Sequence, residues 1–183
     1  MGIIIGFSRV TKKEIEALSK ITDLKSRSLI LRQADEIIDV DKAWEVLHFL
    51  LTTEKYPNEH IASTIMYPDS VTMELPYTEE EMETIYETGT PEEVDALMKE
   101  EELDVNYITS DEVISIFDFL RTVKIDELIK DCDFDQLNEL GIYPKFWSEA
   151  EGHKEYVKEN YDELFTFFER AKNNKNYVIV ERG

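Results

Sequence analysis

The central helix of this protein is predicted at Asp41-Lys42-Ala43-Trp44-Glu45-Val46-Leu47-His48-Phe49-Leu50-Leu51-Thr52. Aspartate is one of the residues preferred at a helix N-cap, so we expect Asp41 to begin this helix. The apolar residues that follow leave it little polar surface, which indicates that it is buried on most sides. The remaining elements are therefore expected to pack around a helix that carries Trp44.

Apolar, β-branched residues at both ends of the chain predict strands over residues 2–10 and 177–180. Two such strands are buried most simply by pairing in one small sheet that helices cover. We therefore predict an α+β fold that is mostly helical, with the N-terminal and C-terminal strands in the same sheet. A length of 183 residues fits a single compact domain over residues 1–183.

Several helices between these strands are marked by capping boxes, in which a threonine and a glutamate three residues later bond each other's backbone N–H groups. The boxes begin at Thr11, Thr78 and Thr109. A further amphipathic helix is predicted over residues 153–172 from the spacing of its apolar residues. Residues 53–76 contain several X-Pro steps, so they are predicted to form loops with short strands near Ile65 and Val71.

The net charge of −21 is concentrated in one segment, because thirteen carboxylates lie between residues 74 and 104 with only Lys99 opposing them. We interpret residues 77–103 as an acidic helical insertion. It is either a solvated face or a docking surface for a basic protein, since a localised negative field attracts cations. The candidate docking residues are Glu79, Glu80, Glu81, Glu83, Glu92, Glu93, Glu100, Glu101 and Glu102. The same charge argues against direct binding of nucleic acid, which requires a basic surface.

The sequence offers little support for metal, cofactor or membrane association. Its single cysteine, Cys132, cannot form an internal disulfide, so a reducing, cytoplasmic location is expected. No apolar run approaches the ~20 residues that a membrane span requires. The alternating aspartates of residues 131–135 lack the glycine and the closing glutamate of a calcium loop. No nucleophile or nucleotide motif is present, so we expect no metal and no cofactor and leave enzymatic activity open.

Two groups of residues are candidates for a binding pocket. Trp44 and His48 are four residues apart and so share a helix face, where they are either core residues or the lining of a pocket. Tyr143, Pro144 and Trp147 form an aromatic-rich stretch that either packs against the last helix or supplies binding anchors. We hypothesise that both groups form one spatial cluster.

Residues 41–52 resemble the Asp-Lys-x-Trp-x-x-Leu-His-x-x-Leu-Thr segment of the YfbM-like family of uncharacterised bacterial proteins. Residues 1–6, 107–113 and 137–144, together with Trp147, resemble the same family in the same order, so the likeness covers nearly the whole chain. The sequence departs from the family at Thr53-Glu54, where a glycine is usual, and in a longer acidic stretch. The resemblance implies a single α+β domain of bacterial origin with no established activity.

Three functional hypotheses follow. The first is an acidic interaction module that binds a basic protein, for example as an inhibitor or immunity-type factor. The second is a small-ligand binder or enzyme that uses a pocket at Trp44, His48 and Tyr143. The third is a structural domain without a ligand.

Overall fold

The computed structural model describes residues 2–53, 60–73, 77–148 and 152–183. Within those ranges the chain forms one five-stranded antiparallel sheet with the order β2-β1-β5-β4-β3. The strands are β1 Ile5–Val10, β2 Glu36–Asp39, β3 Ser70–Val71, β4 Asn106–Ile108 and β5 Tyr177–Arg182.

Helices make up most of the remaining structure. They are α1 Lys12–Leu18, α2 Leu24–Leu31, α3 Trp44–Thr52, α4 Ile61–Met66, α5 Glu79–Thr88, α6 Pro91–Leu103, α7 Ser110–Leu120, α8 Ile125–Asp131, α9 Phe134–Glu139 and α10 His153–Asn174. A short 3-10 turn, Asp41–Ala43, leads directly into α3. The helices that begin after Thr11, Thr78 and Thr109 all have the capping boxes predicted from the sequence.

The two terminal strands are neighbours at the centre of the sheet, which confirms the predicted α+β fold. All six residues of β1 pair with β5, from Ile5 opposite Arg182 to Val10 opposite Tyr177. The pairing continues one step further, because Ile4 and Gly183 exchange both of their backbone hydrogen bonds. The two ends of the chain are therefore held together by main-chain bonds.

The sheet separates a large hydrophobic core from a small one. Phe7, Val178 and Val180 face the large core, which also contains Trp44 and the buried side chains of α7 and α10. The other face is covered by α1 and α2 and holds the small cluster Val10, Ile15, Leu18, Leu31, Val105 and Ile179. Since side chains alternate across a strand, one β5 segment serves both cores. The Trp44-bearing helix α3 lies in the large core, as predicted, and Trp44 is 9% exposed.

Two local predictions are wrong. Asp41 does not cap α3: its φ is +40°, its carboxylate bonds elsewhere, and the residue at the N-cap is Ala43, which makes no side-chain bond there. The region of Ile65 is helix α4 instead of a strand, because Ala62, Ile65 and Met66 lie at helical spacing and all three are buried. The parts of that loop prediction at residues 54–59 and 74–76 lie outside the described residues.

Candidate functional site

A cleft of about 300 Å³ lies where the start of the central helix, the loop after α9 and the first turn of α10 meet. Its volume is at the lower end of the range of small-molecule pockets, about 300 to 1,000 Å³. The lining residues are Asp41, Lys42, Pro144, Phe146, Trp147, Gly152, His153 and Tyr156. Pro144 and Trp147 are thus the two sequence-predicted site residues that line it.

The indole of Trp147 forms a fixed wall of the cleft. Asn138 of α9 holds its backbone on both sides: the side-chain oxygen accepts from the Trp147 N–H at 2.9 Å, and the side-chain nitrogen donates to the Trp147 carbonyl at 2.8 Å. The indole Nε1 donates to the carbonyls of Ile142 and Tyr143, both at 3.2 Å. Trp147 is only 2% exposed, so its position is set by these bonds and by packing.

The loop that carries Trp147 has an unusual backbone. Gly141 follows the end of α9 with a φ of +69°, a left-handed conformation that glycine adopts at little cost. The Tyr143–Pro144 peptide bond is cis, and Lys145 has a φ of +66°. Phe146, which follows Lys145, lines the cleft and is 54% exposed to solvent.

The opposite wall is a hydrogen-bonded group of Asp41, Lys42 and Tyr156. The Tyr156 hydroxyl donates to Oδ2 of Asp41 at 2.8 Å and accepts from the backbone N–H of Lys42 at 3.1 Å. Burial of the phenol, followed by its bond to Asp41, raises the pKa of Tyr156 well above its usual value. Tyr156 therefore stays protonated and acts as a hydrogen-bond donor, which orients the Asp41 carboxylate.

The imidazole of His153 completes the cleft at the first residue of α10. Its Nδ1 accepts from the backbone N–H of Ser148 at 2.8 Å, so in the neutral ring the proton is on Nε2. The ring meets the edge of Trp147 with 5.4 Å between centroids and lies 5.8 Å from Phe146. His153 is thereby part of the same aromatic group as Trp147 and Phe146.

Trp44 and Tyr143 lie behind this cleft and support it. Their rings are stacked with 5.9 Å between centroids. The Trp44 indole donates to the Ile3 carbonyl at 3.2 Å, and the Tyr143 hydroxyl accepts from the Ile3 N–H at 2.8 Å. The backbone N–H of Tyr143 donates to the carboxylate of Glu45, the residue after Trp44. The structure therefore places Trp44 beside Tyr143, which belongs to the same loop as Pro144 and Trp147.

His48 has different neighbours. It is 3% exposed, its Nε2 lies 3.2 Å from Oγ of Ser63 on α4, and its ring meets the edge of Tyr67. Burial lowers the pKa of His48, and electrostatic repulsion from His60 lowers it further. These contacts fit the interpretation of His48 as a core residue with a satisfied ring nitrogen.

Sequence reasoning missed Asp41, Lys42, His153 and Tyr156 as site residues. Asp41 was interpreted as a helix cap, Lys42 was noted only as part of the family-like segment 41–52, and His153 and Tyr156 lie in no motif. A signal was present for Phe146, since it lies in the aromatic-rich stretch next to Trp147. The convergence of residues near 41 with residues near 150 depends on packing of α10 against the 3-10 turn, which local sequence does not reveal.

The acidic candidate residues lie on the helical hairpin formed by α5 and α6. Among the side chains that the structure describes in these helices, only Leu97 is buried. Glu80, Glu81, Glu83, Glu92, Glu93, Glu101 and Glu102 are exposed and Glu100 is half-buried, while the side chain of Glu79 lies outside the description. Backbone bonds from Thr78 and Thr90 lower the pKa of Glu81 and Glu93 respectively, so both remain charged. The hairpin thus presents a dense negative face.

The part of the chain that the structure describes has neither a metal-binding cluster nor a membrane-spanning helix. It contains no group of three or more His, Cys, Asp or Glu side chains placed to hold a metal ion. None of its helices combines the length and the apolar character needed to cross a membrane.

Comparison with known proteins identifies a family. The family model described as "Domain of unknown function (DUF1877)" matches residues 1–181. The fold is similar to the crystal structure of a protein of unknown function, YfbM from Escherichia coli, with a TM-score of 0.62 and 18% identity over 97% of this chain and 98% of that chain. At this identity the likeness shows the fold alone. No curated protein matches the chain.

Proposed function

We propose that this chain, which belongs to the DUF1877 family of domains of unknown function, binds a small molecule with a flat ring. The binding site is the cleft between Asp41 and Trp147. The ligand carries a polar or charged substituent that reaches Asp41 or Lys42. The cleft is favoured over the acidic hairpin as the primary site because its support is a defined geometry, whereas the hairpin is supported by charge alone.

The observation that carries this proposal is the rigid aromatic wall opposite a hydrogen-bonded carboxylate. Trp147 is fixed by four hydrogen bonds, two to its backbone and two from its indole. A surface prearranged in this way loses little entropy when a ligand binds. Phe146 and Pro144 extend the apolar surface, while Asp41 and Lys42 offer opposite charges. Small-molecule sites are usually apolar cavities that contain a small number of polar groups.

Calorimetric titration with a panel of flat-ring compounds tests the proposal. The panel carries a carboxylate, an ammonium group, both or neither. We expect saturable binding of at least one class, and a loss of about twofold to tenfold in affinity in Phe146→Ala, since one aromatic contact contributes that much. Tyr86→Ala is the matched control, because Tyr86 is a similarly exposed aromatic residue on α5. An affinity that is the same in wild type and Phe146→Ala would contradict the proposal.

A second candidate function is docking of a basic protein on the α5–α6 hairpin, in the manner of an inhibitor or immunity-type factor. It is supported by the exposure of seven glutamates on two helices that bury a single side chain among those described. Such a contact weakens as salt rises, because exposed charges are screened over ~8 Å at physiological ionic strength.

This second function is tested by capture from cell extract at about 50 mM and 300 mM salt, a range over which screening changes strongly. The test variant replaces Glu80, Glu83, Glu92 and Glu102 with glutamine. The control variant replaces Glu155, Glu159, Glu163 and Glu169 of α10, which are also exposed, and so has the same net charge. We expect the wild-type protein and the control variant to capture basic proteins, and the hairpin variant to lose this capture. Capture that is equal in both variants would contradict hairpin docking.

We also propose a cytoplasmic location. Cys132 is the single cysteine of the sequence and cannot form an internal disulfide, which suits a reducing compartment.

A further inference from the structure

A second, larger cleft of about 610 Å³ lies at the C-terminal end of β5 and shares no lining residue with the first. It is bounded by the end of β5, the start of β4, α2 and the turn after α4. Five of its lining residues carry a charge: Arg27, Asp69, Asp104, Glu181 and Arg182. The chemistry of this cleft therefore differs from that of the aromatic one.

Among the described residues, the sheet is incomplete at this cleft. On one side β5 pairs with β1 as far as Arg182, but on the other side its pairing with β4 reaches only Val180, which is opposite Asn106, the first residue of β4. Ile4 and Gly183 exchange both backbone bonds, so residues 181 and 183 point their N–H and C=O groups toward β1. Because the direction of these groups alternates along a strand, the N–H and C=O of Arg182 point away from β1, toward the edge of β5 that β4 covers only as far as Val180. A bound backbone can pair with them there.

Two guanidinium groups flank this open edge in fixed positions. Arg182 lies over the ring of Tyr67 at 4.2 Å from its centroid and donates to the Met66 carbonyl at 2.9 Å. Arg27 of α2 forms a 2.8 Å ion pair with Glu181. Among the described residues, the buried Nε of Arg27 has no hydrogen-bond partner. Arginine forks of this kind are suited to recognise a carboxylate.

Three carboxylates line the same cleft: Glu181, which pairs with Arg27, and Asp69 and Asp104. Asp69 is exposed in the turn after α4. Asp104 is held in place because its Oδ1 accepts from the Thr72 hydroxyl, the Met73 N–H and the Val105 N–H at 2.8 to 3.1 Å. These carboxylates are suited to a cationic group, in particular an ammonium.

We propose that this cleft binds a short peptide with free termini. The peptide carboxylate bonds the guanidinium groups of Arg27 and Arg182, and an internal peptide group pairs with the backbone of Arg182. The N-terminal ammonium faces Asp69 and Asp104. An open strand edge with charged groups of both signs matches the three parts of such a ligand, and pairing at an exposed edge is an established mode of peptide binding.

Calorimetric titration of the full chain with trialanine tests this proposal. The comparison peptides are N-acetyl-trialanine, trialanine amide and free alanine. We expect saturable binding of trialanine, and affinity that is lower by about tenfold or more when either terminus is blocked, because a charge-assisted contact is then lost. Free alanine has no internal peptide group and is expected to bind more weakly than trialanine.

The protein side is tested with Arg182→Gln and Asp69→Asn, both at exposed positions, and with Arg121→Gln on the exposed end of α7 as the control. The first two variants are expected to bind trialanine at least tenfold more weakly, and the control is expected to bind like wild type. Absence of saturable trialanine binding would overturn the proposal, as would equal affinity for blocked and free peptides. Ring-compound binding in the first cleft is independent of these results.

Discussion

The Tyr156 hydroxyl donates a 2.8 Å hydrogen bond to Oδ2 of Asp41, a residue 115 positions earlier in the chain. This bond joins the last helix to the turn before the central helix, and it forms one wall of the aromatic cleft. Asp41 tolerates a φ of +40° there, a conformation that few residues other than glycine adopt. The wall of the cleft thus depends on a contact between distant parts of the sequence.

Removal of this hydroxyl in Tyr156→Phe is expected to reduce the free energy of unfolding by about 1 to 2 kcal/mol, because the Asp41 carboxylate and the Lys42 N–H both lose a partner. Urea unfolding measures the change. Tyr86→Phe is the matched control, since its hydroxyl bonds Glu101 on the exposed hairpin, and it should stay within about 0.5 kcal/mol of wild type. Equal losses of unfolding free energy in both variants would show that the Tyr156 hydrogen bonds contribute no more to stability than a hydrogen bond on the exposed hairpin.

Asn138→Ala is expected to destabilise the protein by about 2 kcal/mol, since the backbone N–H and carbonyl of Trp147 both lose their partner. It should also weaken ring-compound binding, because the indole wall is no longer held in place. The control is Asn174→Ala, which removes an exposed bond to the Arg170 carbonyl. Unfolding and titration are measured together, and unchanged binding in Asn138→Ala would argue against a rigid wall.

The pKa of His48 is lowered from 6.5 by burial and by His60, so the unfolded chain binds a proton at this position more readily than the folded protein. Stability is therefore complete above about pH 6.5 and is lost as the pH falls toward the lower folded pKa. His48→Gln should show a smaller loss between about pH 7.5 and 5.5 in urea unfolding. An identical pH dependence in wild type and variant would refute this assignment.

Loss of a capping threonine is expected to have different effects in a core helix and in the α5–α6 hairpin. Thr109→Ala should lower the free energy of unfolding by about 1 kcal/mol, because α7 packs in the large core. Thr78→Ala removes an equivalent capping box from α5, which buries no described side chain, so the cost should be confined to local fraying. Hydrogen exchange of α5 and global unfolding together measure the difference. A global loss of about 1 kcal/mol in Thr78→Ala would show that the hairpin is part of the cooperative core.

The sequence predicted elements whose signals are local. The capping boxes at Thr78 and Thr109 depend on a few neighbouring residues, and both were found where expected. The pairing of the terminal strands followed from their apolar character. Helix α4 was missed because it is only six residues long and lies between proline steps, so β-branched residues dominated the pattern.

The site was only partly predictable for a different reason. Trp147 and Pro144 could be recognised because they lie in an aromatic-rich stretch of the sequence. Tyr156 and His153 are on an amphipathic helix, where a polar aromatic residue is equally suited to solvent and core. Their role depends on which turn of α10 faces residues 41 and 42, and that is decided by tertiary packing.

The most direct test of the ligand cleft is the behaviour of the two indole N–H resonances during titration with ring compounds. The chain has two tryptophans, of which Trp147 lines the cleft and Trp44 lies behind it. We predict saturable shifts of the Trp147 indole and of the amides of Lys42 and His153, with smaller changes at Trp44. Saturable binding that leaves the Trp147 indole unchanged, or no saturable binding by any compound of the panel, would contradict the account.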